Sequence, residues 1–152
     1  MIKSIKFFLV FILLNGCGYE PIILNNKYDY YLSKLTSEGD SNINKIIKKE
    51  LVKKNNIESK SKYEIYISSL KEKEIISSNR KGDPTVYMLK INVEYNLSRN
   101  GLVILKNKIL KQSTYNNIND KFELLKYEQE VEKNLSEQIS YEIIMSINTL
   151  KE

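Results

Sequence analysis

Few side chains in this sequence of 152 residues could do covalent chemistry, and one stands apart. There is a single cysteine, Cys17, and there is no histidine and no tryptophan. Without imidazole, neither a Ser-His-Asp nor a Cys-His nucleophile can be assembled, and the usual zinc ligand sets are missing too. A lone thiol cannot close an internal disulfide. Its setting points to acylation instead. Lys3 and Lys6 precede an apolar run from Phe7 to Leu14, and Leu14-Asn15-Gly16 leads directly into Cys17. A basic stretch, a short apolar run and a small residue form the layout of a secretory signal. Leu-x-Gly-Cys at its end is the layout of a bacterial lipobox, although Asn15 replaces the small apolar residue preferred there. In such a segment residues 1–16 are removed. The Cys17 thiol takes a diacylglycerol and the new amino terminus takes an acyl chain. The alternatives are a plain thiol beside an ordinary cleavage site, a buried amino-terminal helix, or a short membrane stub. Length argues against the stub: Phe7–Leu14 makes roughly 12 Å of helix, whereas a hydrocarbon core takes about 20 residues.

The other polar side chains read as surface. Lys45, Lys48, Lys49, Lys53 and Lys54 form a mild cluster that could meet phosphate, but a solvated helix face explains them more simply. Glu123, Glu128, Glu130 and Glu132 resemble a helix surface more than a paired-carboxylate site. No P-loop, GxGxxG, nucleophile elbow or metal-ligand cluster is present, so the sequence carries no enzyme motif and implies no cofactor beyond the lipid. The formal charge of +5 falls when Lys3 and Lys6 are lost with the signal, which leaves little nucleic-acid character.

The elements that would carry these residues follow from periodicity. Pro21 restricts itself and Glu20 to extended backbone. Tyr28–Leu35 is expected to be a strand, followed by turn chemistry at Glu38-Gly39-Asp40-Ser41. Ile43, Ile46, Ile47 and Leu51 recur at helical spacing, with Asp40 or Ser41 as cap, Lys53 and Lys54 near the negative end of the dipole, and Asn55-Asn56 as the stop. Tyr63, Ile65 and Ile67 alternate with polar residues. Arg80-Lys81-Gly82-Asp83-Pro84 is a loop. Tyr87, Leu89, Ile91, Val93, Tyr95 and Leu97 then share one face and Lys90, Asn92, Glu94, Asn96 and Ser98 the other, the mark of an antiparallel sheet covered on one side.

Arg99-Asn100-Gly101 turns the chain into Leu102–Tyr115. A two-residue turn pairs Leu97 with Ile104 and sends Lys106 and Lys108 to the core. A three-residue turn pairs Leu97 with Val103, Tyr95 with Leu105 and Ile91 with Ile109, buries more apolar surface, and turns Asn107 inward. A long helix begins near Asp120, where Asp120 and Glu123 fit a capping box. Its stripe is Leu124, Val131, Leu135, Ile139, Ile143, Ile147 and Leu150, flanked by Tyr127 and Ile144, with Glu128 as the one flaw. The expected fold is α+β: a two-layer sandwich, about four strands with two helices packed on one face, in the order β-α-β-β-β-α. Residues 17–152 are expected to form a single domain after a signal peptide at 1–16.

Several of these residues resemble one family. Cys17-Gly18-Tyr19-Glu20-Pro21-Ile22 is similar to the Cys-Gly-aromatic-x-Pro-hydrophobic start of LptE, the lipopolysaccharide-assembly lipoprotein, in its shorter α-proteobacterial-type form. Arg80-Lys81-Gly82-Asp83, the alternating strand from Tyr87 to Leu97, Ser113-Thr114-Tyr115-Asn116 and Tyr127-Glu128-Gln129-Glu130 follow in the family's order. Glu20 departs from a common basic residue, and Val131 from a common alanine. The resemblance implies an outer-membrane protein on the periplasmic side, lipid-anchored at Cys17, that plugs an LptD-type β-barrel, assists its assembly, and takes part in moving lipopolysaccharide to the outer leaflet. It implies no enzymatic activity and no nucleic-acid partner. Gly18, where inner-membrane retention favours Asp, fits that location. Lipopolysaccharide phosphates need exposed cations at a loop, and Arg80 and Lys81 are the candidates for that contact or for contact with the barrel wall. The other open reading is an envelope lipoprotein that binds lipid or serves as an accessory module of a different transport system.

Overall fold

The computed structural model describes residues 28–150. The signal-like segment, Cys17 and the motif that follows it lie outside the described residues. The elements are β1 (Tyr31–Gly39), α1 (Ser41–Lys53), β2 (Lys62–Ser78), β3 (Pro84–Arg99), β4 (Leu102–Asn116) and α2 (Lys121–Asn148). The strands form one sheet in the order β1-β2-β3-β4. β1 runs parallel to β2, and the other two pairs are antiparallel, so the sheet is mixed. A parallel neighbour needs a long crossover, and α1 supplies it. The architecture is α+β with the expected element order.

Capping sets both helix starts. The Asp40 carboxylate accepts from the amides of Asn42 at 3.0 Å and Ile43 at 3.1 Å. Asp120 does the same for Phe122 at 2.8 Å and Glu123 at 3.1 Å. α1 buries Ile43, Ile47 and Leu51, and α2 buries Val131, Leu135, Ile139, Ile143, Ile144 and Ile147. These side chains meet Tyr63, Ile65 and Ile67 of β2, Leu89 to Leu97 of β3, and Ile109 and Tyr115 of β4 in one core. Each large apolar side chain buried there contributes about 1.5–3 kcal/mol. Leu124 and Leu150 pack at the margins, while Tyr127 is exposed.

The structure departs from the periodicity reading in three places. β1 is displaced to Tyr31–Gly39, so Glu38 and Gly39 end a strand and only Asp40 turns the chain. β2 does not stop after Ser68 but continues to Ser78. The β3–β4 register follows neither expected pairing. Arg99 faces Leu102 across a two-residue turn in which Asn100 and Gly101 have φ of 53° and 77°. Two left-handed residues in succession are the signature of a type I′ turn. Next to it the ladder shifts past Ile104, so Leu97 pairs with Leu105, Tyr95 with Asn107, and Val93 with Ile109. The two-residue turn and the bulge each move the partner of Leu97 by one residue, from Val103 past Ile104 to Leu105. Past the bulge this even displacement keeps Leu105, Asn107 and Ile109 on the expected side, while Val103, expected opposite Leu97, pairs with Ser98 of the polar face and is exposed.

Candidate functional site

The register separates a base from an arm. Tyr31 pairs with Lys62, and Glu64 with Ser98, so the start of β1, the start of β2 and the β3–β4 turn share one end, the base. β1 leaves the sheet at Gly39, opposite Ser69. Beyond that level β2 and β3 continue as a hairpin, flanked by the end of β4 and the start of α2. From Lys62 to Ser78 β2 has 17 residues, which at about 3.3 Å each puts the hairpin tip roughly 55 Å from the base.

Asn79 builds the tip. Its amide oxygen accepts from the backbone N–H of Lys81 at 2.8 Å and of Asp83 at 3.0 Å, and its amide nitrogen donates to the Asp83 carboxylate at 2.9 Å. The Asn79 N–H also donates to the Asp83 carbonyl at 2.9 Å. This closed loop holds Arg80 and Lys81 in solvent at the crest, with no ion pair to a described residue. The two cations that the sequence selected are therefore adjacent, exposed, and at the end of the molecule farthest from the base.

Below the tip, on the helix side, lies a polar cluster that periodicity did not disclose. Tyr115 donates its hydroxyl to Glu128 of α2 at 2.9 Å, and Lys73 forms an ion pair with the same carboxylate. The Lys73 ammonium also lies 4.1 Å from the centre of the Tyr87 ring. Tyr87 packs on Tyr115 at 5.7 Å, and Tyr115 meets Tyr127 edge-on at 5.9 Å. Burial, and then the Glu128 carboxylate, push the Tyr115 hydroxyl above its ordinary range. One step toward the base, Lys71 joins Glu132 at 2.8 Å and Asp40 at 3.1 Å. The Glu132 hydrogen bond is the main reason the Lys71 ammonium is held above its usual range. Burial of Asp40 opposes its ionisation, but the Ile43 amide, Lys71 and the Asn42 amide outweigh burial and lower its pKa. Glu128 is thus no flaw in the α2 stripe: it stands where Tyr115 and Lys73 arrive. The missed signal was the Lys71-Glu72-Lys73-Glu74 alternation, which prolongs the period of two from Tyr63.

The helix-free face of the sheet is mostly polar. Across β2, β3 and β4 the rows are Ser68-Glu94-Lys108, Leu70-Asn92-Leu110, Glu72-Lys90-Gln112 and Glu74-Met88-Thr114. Lys90 reaches Glu74 at 2.7 Å, and Lys108 reaches Glu94 at 3.0 Å. The lysine cluster of α1 disperses. Lys45 and Lys49 line an open groove of about 430 Å³ between the helices, beside Gln129, Glu132 and Lys133. Lys53 pairs with Glu50, and Lys54 lies over the Tyr28 ring. The groove's charged lining suits solvent better than an acyl chain. No helix among the described residues is long and apolar enough to cross a membrane.

No family model matches the chain. No curated protein matches it either. Solved structures do. Rare lipoprotein B from Shewanella oneidensis is 14% identical, with a TM-score of 0.59 over 76% of this chain and 94% of that one. A minor lipoprotein from Acinetobacter baumannii is 12% identical, with a TM-score of 0.60 over 80% and 92%. Uncharacterized lipoprotein B from Nitrosomonas europaea is 16% identical, with a TM-score of 0.57 over 80% and 86%. At these identities the likeness establishes a shared fold, over nearly the full length of each of those structures.

Proposed function

We propose that this chain is an outer-membrane lipoprotein that occupies the lumen of an LptD-type β-barrel, assists the barrel's assembly, and takes part in passing lipopolysaccharide to the outer leaflet. Diacyl and amide-linked lipid at Cys17 anchors it on the periplasmic side, because stable anchoring takes more than one chain. The observation that carries the reading is the distance between the base and the Arg80-Lys81 tip. The chain enters its first strand at the base, at Tyr31, 14 positions after Cys17. A hydrocarbon core is about 30 Å thick, or about 40–45 Å with its headgroup regions. An arm of roughly 55 Å that starts near the periplasmic surface therefore reaches the level of the outer leaflet. Within a barrel this arm meets a wet, polar lumen, and its polar sheet face suits that surface. At the far end, Arg80 and Lys81 supply phosphate-binding cations where lipopolysaccharide headgroups stand. The fold shared with proteins described as lipoproteins supports the envelope part of the reading.

The test is co-purification. The tagged full-length chain, extracted from outer membranes in mild detergent, is expected to carry a large β-barrel protein in stoichiometric amount. Recovery of the chain without a barrel, but with bound lipid, would favour the accessory lipid-binding reading instead. Mass spectrometry of the mature amino terminus checks the anchor, and an unmodified Met1 or a free Cys17 thiol counts against it.

A further inference from the structure

The β1–β2 ladder ends where Gly39 faces Ser69, yet β2 runs on from Leu70 to Ser78. That stretch is bonded on one side only, to β3, and every residue in it is exposed. Its other edge is open for nearly 30 Å, longer than the five or six residues of an average strand. The direction of its backbone groups follows from one bond. Asp40 donates its N–H to the Ser69 carbonyl at 3.2 Å, so the Ser69 backbone faces the β1 side. Alternation along a strand then aims the N–H and C=O of Lys71, Lys73 and Ile75 at the open edge, while Leu70, Glu72 and Glu74 bond to β3. Inward lysines commonly guard such an edge. Here they do not stand over it: the Lys71 and Lys73 ammonium groups are engaged by Glu132 and Glu128 of α2.

We infer that this edge is a strand-addition site, and that its occupant is an extended segment of a partner polypeptide. Over the charged stretch Lys71–Glu74 a second copy is disfavoured by charge. Two-fold antiparallel pairing about Glu72 sets Glu72 against its own copy and Lys71 against Lys73, and a centre at Lys73 sets like charges together again; like charges directly opposite destabilise a pair. The chain's own leader is too short on the reading that it starts at Cys17. From Tyr28 to the level of Leu70 is roughly 33 Å, and about eleven extended residues span roughly 36 Å, which leaves none to pair. A partner strand instead continues the ladder that β1 begins. On the open face it passes Glu72, which has no ion pair among the described residues and favours a basic or amide side chain beside it. Main-chain bonds give such an addition its affinity, and the flanking side chains its selectivity. The partner's identity as a barrel loop rests on the function proposed above; the strand addition itself does not.

The test places a benzophenone amino acid at Ile75 on the edge and, separately, at Lys108 on the helix-free face of β4, in the full-length chain in intact cells. Each is combined with Lys73→Ala and with Lys73→Pro. The Lys73 N–H faces outward, so proline removes a donor from the open edge without breaking the β2–β3 ladder. The Ile75 adduct to a barrel protein is expected to persist in Lys73→Ala and to fall by about tenfold in Lys73→Pro. A matching melting temperature for the two variants excludes misfolding. A proline-insensitive Ile75 adduct overturns the inference. Capture of the barrel from Lys108 but not from Ile75 overturns the inference and leaves the barrel reading intact. A proline-sensitive Ile75 adduct to one other protein that is not a barrel supports strand addition and overturns the barrel reading, whereas an adduct to a second copy of this chain overturns the inference. Absence of adducts from both positions overturns both.

Discussion

Single atoms make the sharpest demands on this fold. The Tyr95 hydroxyl is buried without a hydrogen-bond partner among the described residues, in a row between Ile67 and Asn107. An unpaired buried hydroxyl costs stability, so Tyr95→Phe is expected to raise stability by about 1 kcal/mol, measured as the shift of the urea midpoint. Asp40 acts in two ways, capping α1 and pairing with Lys71. Its folded pKa lies below its unfolded value, so its contribution is fully present above the ordinary aspartate range and is lost as pH falls from there through the lower folded pKa. Lys71 and Tyr115 are shifted upward, so their contributions hold below their unfolded pKa values and disappear at alkaline pH. Stability should therefore form a plateau with two limbs. Asp40→Asn keeps the cap at a cost of a few tenths of a kcal/mol, and it should flatten the acid limb in urea titrations at successive pH values. An acid limb unchanged in this variant would assign it to other carboxylates.

At the scale of elements, Gly39 decides where the sheet divides. It has φ of +90°, and a Cβ there would lie 1.9 Å from the Ser69 carbonyl oxygen. That close approach lets β1 leave β2 and hand the chain to α1, and so it leaves the rest of β2 unpaired on one side. Gly39→Ala is expected to destabilise by about 2 kcal/mol or more, since strain and clash add, and to lower the melting temperature accordingly. Both helices and the β3 strand were legible in the sequence because each follows one period, broken only at Glu128 in α2; the α2 cap was read directly and the α1 cap was narrowed to Asp40 or Ser41. The length of β2 was not legible. Its outer half has charged residues on both faces, because Lys71 and Lys73 point to α2 and find Glu132 and Glu128 there. Partners some sixty residues away leave no local trace. The β3–β4 register escaped for a related reason: the type I′ turn and the bulge at Ile104 each shift it by one residue in the same direction, and only the completed ladder shows both.

Taken as a whole, the molecule is an elongated plate whose two ends differ in chemistry. The Arg80-Lys81 tip is held by Asn79 and Asp83, so Arg80→Ala with Lys81→Ala should leave the unfolding free energy, measured in urea, within about 0.5 kcal/mol of unchanged. The same double variant is expected to weaken binding of purified lipopolysaccharide by about tenfold or more, since charged hydrogen bonds are each worth about 1.5–3 kcal/mol. Unchanged affinity would remove the tip from the ligand's path and leave the barrel wall as its contact.

Periodicity and local chemistry were enough to determine the α+β class, the element order, the Asp120 cap, the inward faces of β3 and of the first half of β2, and the placing of Arg80 and Lys81 on one loop, and they narrowed the first cap to Asp40 or Ser41. Those features depend on neighbours within a few residues, and the sequence states such neighbours directly. The mixed pairing of the sheet, the open edge of β2, the cluster of Tyr115, Lys73 and Glu128, and the distance from base to tip depend on where one strand stops relative to another. Gly39 and Ser69 settle that only when they meet, and their meeting is a property of the assembled sheet.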